Sequence, residues 1–482
     1  MKHSKFIIRF IFSVISFLTI INVPLSYGAE NRVFRAGAAV SNITPLLGSG
    51  IIGEWTTPPA SHVHDDLLAR CLVLDDGSTE LVFVVLDLLG IHTNLSDMAK
   101  KIIEQRLNIP PENIIISTTH THSAASAMGS VWMEWNQYPL DEYQNYVISR
   151  IADVVQIAKN NLEPARIGWG VAKAPEHVFV RRWFVKEPVK NPFGGYDKVL
   201  TNPRYSNKNK TQPTTKPDPD VSFISVQSKD GRPIALFANY ALHYIAGTGK
   251  GHISADYYGM FADYVSELIN DKRNPKFVAS MSNGASGNIN NNDFSRPREK
   301  KKNYERINYV AKDIAGKVYD AYKHVVYHDW VPLGSQSEKI TLKVRKPNQE
   351  MVNRAKKLLQ NADNDKNQHV RERNYAKITL SQLKRPNQIN IPLTTFKIGD
   401  LGIASIPFEV FVEIGLDIKA RSPFKQTHII SLADGYHGYL PTPEQHELGG
   451  YETWLGTNNV EKEASVKIAN QILKQFSDLQ SN

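Results

Sequence analysis

Apolar and polar residues follow two different periods along the first third of the chain, and these periods predict strands and helices in turn. Segments 34–45 and 69–91 are rich in β-branched and other apolar residues, as is the short segment 113–122, and each is predicted to form strands. Apolar residues recur at helical spacing in 94–108 and 141–162. This alternation of strand and helix is typical of an α/β fold.

The same alternation continues to the end of the chain. Strands are predicted within 221–227, 233–244, 276–288 and 427–442, helices within 254–271, 303–325 and 463–476, and a strand followed by a helix within 401–422. No internal repeat interrupts this order, so we expect a single α/β domain over residues 29–482.

Two segments depart from the alternation. Segment 186–219 is rich in Pro, Asn and Lys and is predicted to be a long loop, a kind of segment that often carries function. Segment 348–385 is strongly charged with a helical pattern, and we interpret it as a solvated helical excursion. Strand-like sequence resumes soon after each segment, so neither is expected to divide the domain.

Residues 1–28 have the pattern of a secretory signal peptide. Three basic residues precede an apolar run over 10–23, and the small residues Ser26 and Gly28 stand at −3 and −1 before Ala29. The run is shorter than the ~20 residues that span a bilayer. We therefore expect an exported protein, periplasmic or secreted, without a transmembrane anchor once the signal is cleaved.

The cysteine content and the net charge limit which cellular compartment and which binding partners the protein can have. The only cysteine, Cys71, lies in a predicted strand and cannot form an internal disulfide, which suits a large exported bacterial protein whose core replaces disulfides. The formal net charge is +9, which allows an anionic small-molecule, lipid or oligosaccharide substrate. The sequence contains no nucleic-acid-binding motif, so no nucleic-acid partner is expected.

Candidate chemistry gathers where predicted strands end. His120 and His122 lie two apart at the end of the strand within 113–122 and share one face, a spacing that suits a metal site or two hydrogen-bonded structural histidines. His243 ends another apolar strand, and Glu409 follows a third. A post-strand loop adds Tyr436, His437 and Tyr439. Together these side chains offer nitrogen and oxygen donors suited to zinc.

The ordered set of motifs resembles the catalytic domain of the neutral (non-lysosomal, alkaline) ceramidases over almost the whole predicted mature chain. The motifs are "GAAVSNITP", "STTHTHSA", "NYALHYIAG" with "ISADYYG", "SNGASGNIN", "IPFEVFVEIGLDIK" and "GYHGYLPTPEQHELGGYE". The resemblance implies mixed β-sheets flanked by helices, a Zn²⁺ cofactor and hydrolysis of an N-acyl amide bond.

Residue roles follow from the same resemblance. It implies four zinc ligands: His120, His243, Glu409 and Tyr439. It also implies two residues that work beside the metal, His122 and Arg181.

Two departures from the family pattern bear on the substrate. In the family's Gly-Asp-x-Ser motif, Asn288 stands for the aspartate and Asn290 for the serine, so Asn290 becomes a candidate catalytic residue. Ser282 and Ser286 are close in sequence but out of register. The chain is also expected to lack the C-terminal β-sandwich domain of the longer ceramidases.

Three functions remain open on the sequence. The first is a zinc-dependent amidohydrolase in which His122 moves a proton and Arg181 or Asn290 holds the oxyanion. The second is a zinc-assisted dehydratase or lyase for an anionic, uronate-containing oligosaccharide, with the Arg181–Arg182 pair binding the carboxylate. The third is a non-catalytic zinc-binding protein.

Metal-bound histidines generally donate their second N–H to an oxygen. We therefore expect Asp87 and Asp256 to accept hydrogen bonds from the metal-binding imidazoles.

Overall fold

The computed structural model describes residues 32–53, 56–129, 139–360 and 369–481. The predicted signal peptide and segment 361–368 of the charged excursion lie outside the described residues. In the described parts of the chain the strands are β1 (Arg35–Asn42), β2 (Ile51–Ile52), β3 (His62–Val63), β4 (Leu68–Asp75), β5 (Glu80–Leu86), β6 (Ile114–Thr118), β7 (Ala124–Ala125), β8 (Glu163–Lys173), β9 (Phe179–Val180), β10 (Arg182–Lys190), β11 (Tyr196–Thr201), β12 (Lys210–Pro213), β13 (Asp220–Ser228), β14 (Pro233–Tyr240), β15 (His252–Ile253), β16 (Val278–Asn283), β17 (Ile289–Asn290), β18 (Leu333–Lys343), β19 (Gln388–Ile398), β20 (Leu401–Ile406), β21 (Glu409–Val410), β22 (Gln426–Ser431) and β23 (Tyr439–Leu440). The helices are α1 (Thr93–Leu107), α2 (Glu142–Asn160), α3 (Asp256–Ile269), α4 (Glu305–Tyr322), α5 (Gln349–Gln360), α6 (Glu372–Gln382), α7 (Val412–Arg421), α8 (Pro443–Leu448) and α9 (Ala464–Ser481).

Two packed sheets organise these elements. The larger sheet has the strand order β16-β14-β13-β8-β1-β4-β5-β6, and only its outermost pairs, β14–β16 and β5–β6, are parallel. The smaller sheet has the order β18-β19-β20-β22, antiparallel except for β20–β22. The α/β fold with mixed sheets and flanking helices is therefore confirmed.

Strand β5 shows how its sequence produces this layering. All but its first residue are buried, and successive side chains point to opposite faces of the sheet. Val82 and Val84 pack with α1 and α2 on one face. Phe83, on the other face, meets Phe237 and Phe396 with ring centroids 5.0 and 5.3 Å away, and Phe396 belongs to the smaller sheet. Replacing a ring so enclosed by alanine costs about 3–5 kcal/mol.

The layers outside the sheets complete the core. Helices α3 and α4 cover one face of the larger sheet over its β13–β14–β16 half. Helices α1 and α2 cover the same face over the other half. Helices α7 and α9 cover the outer face of the smaller sheet. The order of layers is thus helices, larger sheet, smaller sheet, helices, with the described chain from Val33 onward forming one compact unit.

The two ends of the larger sheet meet at one place. Asn283, the last residue of β16, donates its side-chain N–H to the carbonyl of Thr119 just after β6, at 3.2 Å. The loop after β22 also reaches β6, where the Asp434 N–H donates to the Ile116 carbonyl at 2.8 Å. In the same way Asn239 of β14 donates to the Ile429 carbonyl of β22 at 3.0 Å. Strand ends that are far apart in the sheet order therefore lie side by side.

Two sequence expectations need correction. Segment 186–219 was expected to be a loop, yet it contains part of β10 and all of β11 and β12, which form a three-stranded sheet in the order β11-β10-β12. Segment 348–385 is helical as expected, with α5 and α6, but part of it is buried rather than solvated: Tyr375 is 2% and Ala376 3% exposed.

Among the described residues, no helix is long and apolar enough to cross a membrane.

Candidate metal centre and active-site cavity

The ends of β6 and β14 bring two imidazoles together. His120 follows β6 with a φ of 69°, a backbone conformation that is uncommon for a residue with a side chain. Its ring lies 4.7 Å from that of His243, centroid to centroid, and both side chains are buried. The Nδ1 atom of His120 is 2.8 Å from the Leu89 carbonyl, and that of His243 is 3.1 Å from the Ser286 carbonyl. A carbonyl only accepts, so each Nδ1 carries the hydrogen and each Nε2 keeps a lone pair.

These carbonyls correct one expectation about the site. Neither Asp87 nor Asp256 accepts the imidazole N–H. Asp87 pairs with Arg70 at 2.5 Å instead. Asp256 accepts the backbone N–H groups of Ile245 and Ala246, both at 3.0 Å. Asp256 thus orders the turn that follows His243 rather than the imidazole ring itself.

Glu409 and Tyr439 are placed opposite the histidines by a short parallel pairing. Strand β21 pairs with β23 so that Glu409 lies directly across from Tyr439. One carboxylate oxygen of Glu409, Oε1, accepts a hydrogen bond from the Tyr436 hydroxyl at 2.8 Å. Gly287 makes this approach possible, because a Cβ at that position would lie 2.4 Å from the Glu409 carbonyl oxygen.

The atoms that face one another at this point suit a metal ion. The second oxygen of Glu409, Oε2, is buried without a hydrogen-bond partner among the described residues and lies 3.4 Å from His120 Nε2 and 3.6 Å from His243 Nε2. Three atoms with lone pairs converge there, and Tyr439, directly across from Glu409, lines the same cavity. Two imidazoles, a carboxylate and a phenol form a donor set that a transition metal accepts. All four sequence-predicted ligands therefore line one cavity.

His122 stands beside this donor set. Its Nε2 lies 3.3 Å from His120 Nε2, and its ring stacks on Tyr244 with centroids 3.6 Å apart. Gly53 packs against the other side of the ring, where a Cβ would come within 2.6 Å. Burial, with the nearby charge of Arg181, holds the pKa of His122 well below its usual range. The imidazole is therefore neutral at neutral pH.

The two arginines of the predicted pair have different environments. Arg181 lines the cavity, with its guanidinium over the Tyr439 ring at 5.2 Å; in the described parts of the chain its Nη2 has no hydrogen-bond partner. Arg182 is fully buried and is not among the residues that line the cavity; its Nε donates to Gln445 at 2.9 Å. The structure therefore does not bring Arg182 to the substrate position that the sequence assigned to it.

Glu452, which sequence reasoning missed, connects the two arginines. Its carboxylate is fully buried and accepts from Arg181 Nε at 2.9 Å, from Arg182 Nη1 at 2.8 Å and from the Thr201 hydroxyl at 2.7 Å. Burial alone would raise the pKa of Glu452, but the two guanidinium groups outweigh burial and lower it. Glu452 thus holds Arg181 in place, a role that no local sequence pattern indicates.

Asn288 and Asn290, which stand at the Asp and Ser positions of the family's Gly-Asp-x-Ser motif, lie beside the cavity. Asn288 is buried, donates to Glu413 at 2.7 Å and accepts the first N–H of α7, from Val412, at 2.9 Å. Asn290 donates to Asn202, a residue of the cavity lining, at 3.3 Å. Ser286 lies closer to the histidines, with Oγ 3.3 Å from His243 Nδ1.

The cavity extends well beyond these residues, to a volume of about 950 Å³. We call the part around His120, His122, His243, Glu409 and Tyr439 the inner end. We call the opposite part, which contains residues of β10, β11, α6 and the loop after α8, the outer wall; it comprises Lys190, Val199, Leu200, His369, Arg371, Tyr375, Ile378, Tyr451 and Trp454. Sequence reasoning missed the outer wall, since all its residues except Tyr451 and Trp454 lie in segments that were interpreted as a loop and a solvated excursion.

Comparison of the chain with known protein families identifies the family to which it belongs. The sequence profile described as "Neutral/alkaline non-lysosomal ceramidase, N-terminal" matches residues 55–305, more than half of the chain. This match includes His120, His122, Arg181 and His243.

Solved structures agree with the profile at the level of the fold. The chain resembles the crystal structure of neutral ceramidase from Pseudomonas aeruginosa with a TM-score of 0.69 at 16% identity, over 94% of this chain and 75% of that one. A structure described as ceramidase complexed with C2 matches with the same TM-score and identity, over 94% of this chain and 76% of that one. On the profile match, the chain belongs to the neutral/alkaline non-lysosomal ceramidase family.

Proposed function

We propose that the protein is an exported, zinc-dependent enzyme that hydrolyses an N-acyl amide bond. The observation that carries this proposal is the convergence of three lone pairs, on His120 Nε2, His243 Nε2 and Glu409 Oε2, beside a neutral histidine and an arginine. Zinc bound by these residues and Tyr439 would acidify a water molecule and polarise the amide carbonyl. Family membership supports the hydrolase class, and the predicted signal peptide supports a periplasmic or secreted location.

The residues of the inner end would carry the proton and the developing charge. His122 takes the proton of the attacking water as the oxygen–carbon bond forms, and it returns that proton to the departing nitrogen as the carbon–nitrogen bond breaks. The products are a carboxylic acid and an amine. Arg181, which lines the cavity, would donate a hydrogen bond to the oxyanion from its Nη2. Asn290 would contribute only through Asn202, to which it is bonded.

The test uses purified protein and a set of N-acyl amides that includes ceramide. Mass spectrometry should find the fatty acid and the free amine, and chelation should stop their formation until zinc is returned. Zinc-loaded protein that cleaves none of the N-acyl amides would overturn the proposal.

A second candidate is the zinc-assisted dehydratase or lyase for an anionic oligosaccharide. The observation in its favour is the outer wall, where Lys190 and Arg371 lie among the aromatic rings of Tyr375, Tyr451 and Trp454. Such a surface suits an acidic sugar. Product mass separates the two functions, because elimination removes one water from the sugar whereas hydrolysis adds one water across two fragments.

A further inference from the structure

The side chain of Gln445 lies between two buried groups of opposite charge. Its Oε1 accepts from Arg182 Nε at 2.9 Å, and its Nε2 donates to Glu413 Oε1 at 2.7 Å. An arginine can only donate, so the two ends of this amide cannot be exchanged. Gln445 is itself fixed in the first turn of α8, where its backbone N–H donates to the Thr442 hydroxyl at 3.3 Å. The amide is thus a neutral link between a cation and a carboxylate.

Glu413, in the first turn of α7, forms the far end of this arrangement. Asn288 donates from Nδ2 to the second carboxylate oxygen, Oε2, at 2.7 Å. The Oδ1 of the same asparagine accepts the backbone N–H of Val412 at 2.9 Å, which fixes the orientation of that amide as well. Burial raises the pKa of Glu413, and the two amide donors act against that rise. Both oxygens of Glu413 thus face donors, as an ionised carboxylate requires.

The near end of the arrangement reaches the cavity through Glu452. Arg182 donates from Nη1 to Glu452 Oε2 at 2.8 Å and from Nη2 to the Gly449 carbonyl at 2.6 Å. The other oxygen of Glu452, Oε1, accepts from Arg181 Nε at 2.9 Å. The hydrogen bonds therefore run without a break from Asn288 to Arg181, and they join two guanidinium groups to two carboxylates.

We propose that Gln445 is a positioning residue for the reaction: by holding Arg182 between two buried carboxylates, it fixes the guanidinium of Arg181 at the cavity. The inference rests on the proposed amide hydrolysis, in which Arg181 donates to the oxyanion. Without the amide of Gln445, Arg182 would turn towards the buried charge of Glu413 and weaken its bond to Glu452. Glu452 would then hold Arg181 less firmly, and the oxyanion donor would lose its fixed position.

The first test exchanges the amide and the carboxylate between positions 445 and 413 in the full, zinc-loaded protein. Gln445→Glu sets two carboxylates against each other, and kcat should fall about tenfold, the cost of a lost hydrogen bond to a charged group. KM should stay unchanged, because the oxyanion exists only in the transition state. The double variant Glu413→Gln with Gln445→Glu restores a donor for every acceptor, since the new amide accepts from Asn288 and donates to the new carboxylate. It should recover kcat to within about threefold of the wild type, as coupled residues do.

Solvent exchange of the Arg181 Nε–H follows the position of this side chain without any turnover. Its resonance, identified by its loss in Arg181→Lys, reports on the bond to Glu452, because a buried and bonded N–H exchanges slowly. Exchange should be about tenfold faster in Gln445→Glu, since a charge-assisted bond is weakened, and should return to the wild-type rate in the double variant. Gln445→Met, which removes both bonds without adding a charge, should change kcat and exchange in the same direction and serves if Gln445→Glu does not fold.

The matched control is Gln475→Glu. Gln475 is also buried and donates from Nε2 to the Leu393 carbonyl at 3.1 Å, but it lies in α9 and does not line the cavity. This change should lower the melting temperature and leave kcat and the Arg181 exchange rate unchanged. A fall in kcat as large as that of Gln445→Glu would mean that any buried charge has this effect, and would overturn the inference.

The remaining outcomes separate the inference from the proposed function. In an Arg181→Lys background, Gln445→Glu should lower kcat by less than about a further twofold, because both changes act on one donor. Additive losses, an unchanged Arg181 exchange rate in Gln445→Glu, or a double variant no better than Gln445→Glu would each overturn the inference. Faster exchange that the double variant reverses, in a protein that cleaves none of the N-acyl amides, would contradict the proposed hydrolysis alone.

Discussion

The inner end and the outer wall of the cavity are held in place by different kinds of contact. At the inner end, the protein backbone fixes the imidazoles: the carbonyls of Leu89 and Ser286 accept from His120 and His243. At the outer wall, side chains hold one another, as in the hydrogen bond between the hydroxyls of Tyr375 and Thr457 at 2.7 Å. A site fixed by backbone can adjust only if strands move, whereas a wall of side chains can adjust residue by residue.

This difference suits the two tasks that we propose for the cavity. Metal binding and proton transfer require positions fixed within a fraction of an ångström, and buried strand ends provide them. Recognition of the remainder of a substrate tolerates variation, and a helical excursion can change its surface without disturbing the sheets. Changes at the inner end should therefore abolish chemistry, and changes at the outer wall should alter affinity or local stability.

Loss of a predicted metal ligand should have the largest effect. We expect His243→Ala to lower the zinc content from about one ion per chain to near zero and to reduce activity at least about a hundredfold, because a ligand contributes more than the outer partners that cost ten- to a hundredfold. Metal analysis and steady-state kinetics would measure both.

The matched control is His428→Ala. His428 is also fully buried, but it lies in β22 beside Gln426, 3.0 Å away, and does not line the cavity. Its loss should lower the melting temperature and leave zinc content unchanged. Full zinc occupancy in His243→Ala would remove this residue from the ligand set.

Arg181→Lys is expected to have the next largest effect. A lysine cannot keep both the bond to Glu452 and a hydrogen bond to the oxyanion, so kcat should fall about a hundredfold, the cost of removing one such donor, with zinc retained. Arg182→Lys should instead reduce stability with little effect on KM, since the Arg182 side chain is enclosed by Gln445, Gly449 and Glu452. A large increase in KM for Arg182→Lys would instead favour the sequence-based assignment of Arg182 to the substrate.

The contrast between the inner end and the outer wall also explains how much of the site could be predicted from the sequence. His120, His122, His243, Glu409 and Tyr439 became candidates because each lies near the end of a predicted strand, and the resemblance to the ceramidases then implied their roles. The approach of the two ends of the larger sheet, which brings these motifs together, depends on pairings between strands that are far apart in the chain. Local patterns do not specify such pairings.

The outer wall and the hydrogen-bond partners of the site residues could not be predicted from the sequence, and the reasons are similar. The role of Glu452 depends on two arginines some 270 residues earlier, at separations of 271 and 270 positions. The imidazole partners proved to be backbone carbonyls, which every residue carries and no residue type marks. Segment 348–385 was predicted to be helical by its period, but its charged composition concealed that Tyr375 and Ile378 line a cavity.

A matched pair of Tyr→Phe substitutions would sharpen the comparison of the two regions. Tyr436→Phe, at the inner end, removes the hydrogen bond to Glu409 Oε1. We expect about tenfold weaker zinc affinity, since the carboxylate loses the contact that orients it. Competition with a chelator of known affinity would measure the change. An unaltered zinc affinity would show that the β21–β23 pairing alone positions Glu409.

Tyr375→Phe, at the outer wall, should have the smallest effect. It removes one buried hydroxyl bonded to Thr457, and such a bond contributes about 1 kcal/mol to stability. Urea denaturation should show this loss in the free energy of unfolding, and zinc affinity should equal that of the wild type. Because the ring remains against Trp454, the wall should keep its shape, with KM increasing by less than about threefold, an effect below 1 kcal/mol. If Tyr375→Phe lowered zinc affinity as much as Tyr436→Phe, the two ends of the cavity would be coupled, and the division between a fixed inner end and an adjustable outer wall would be wrong.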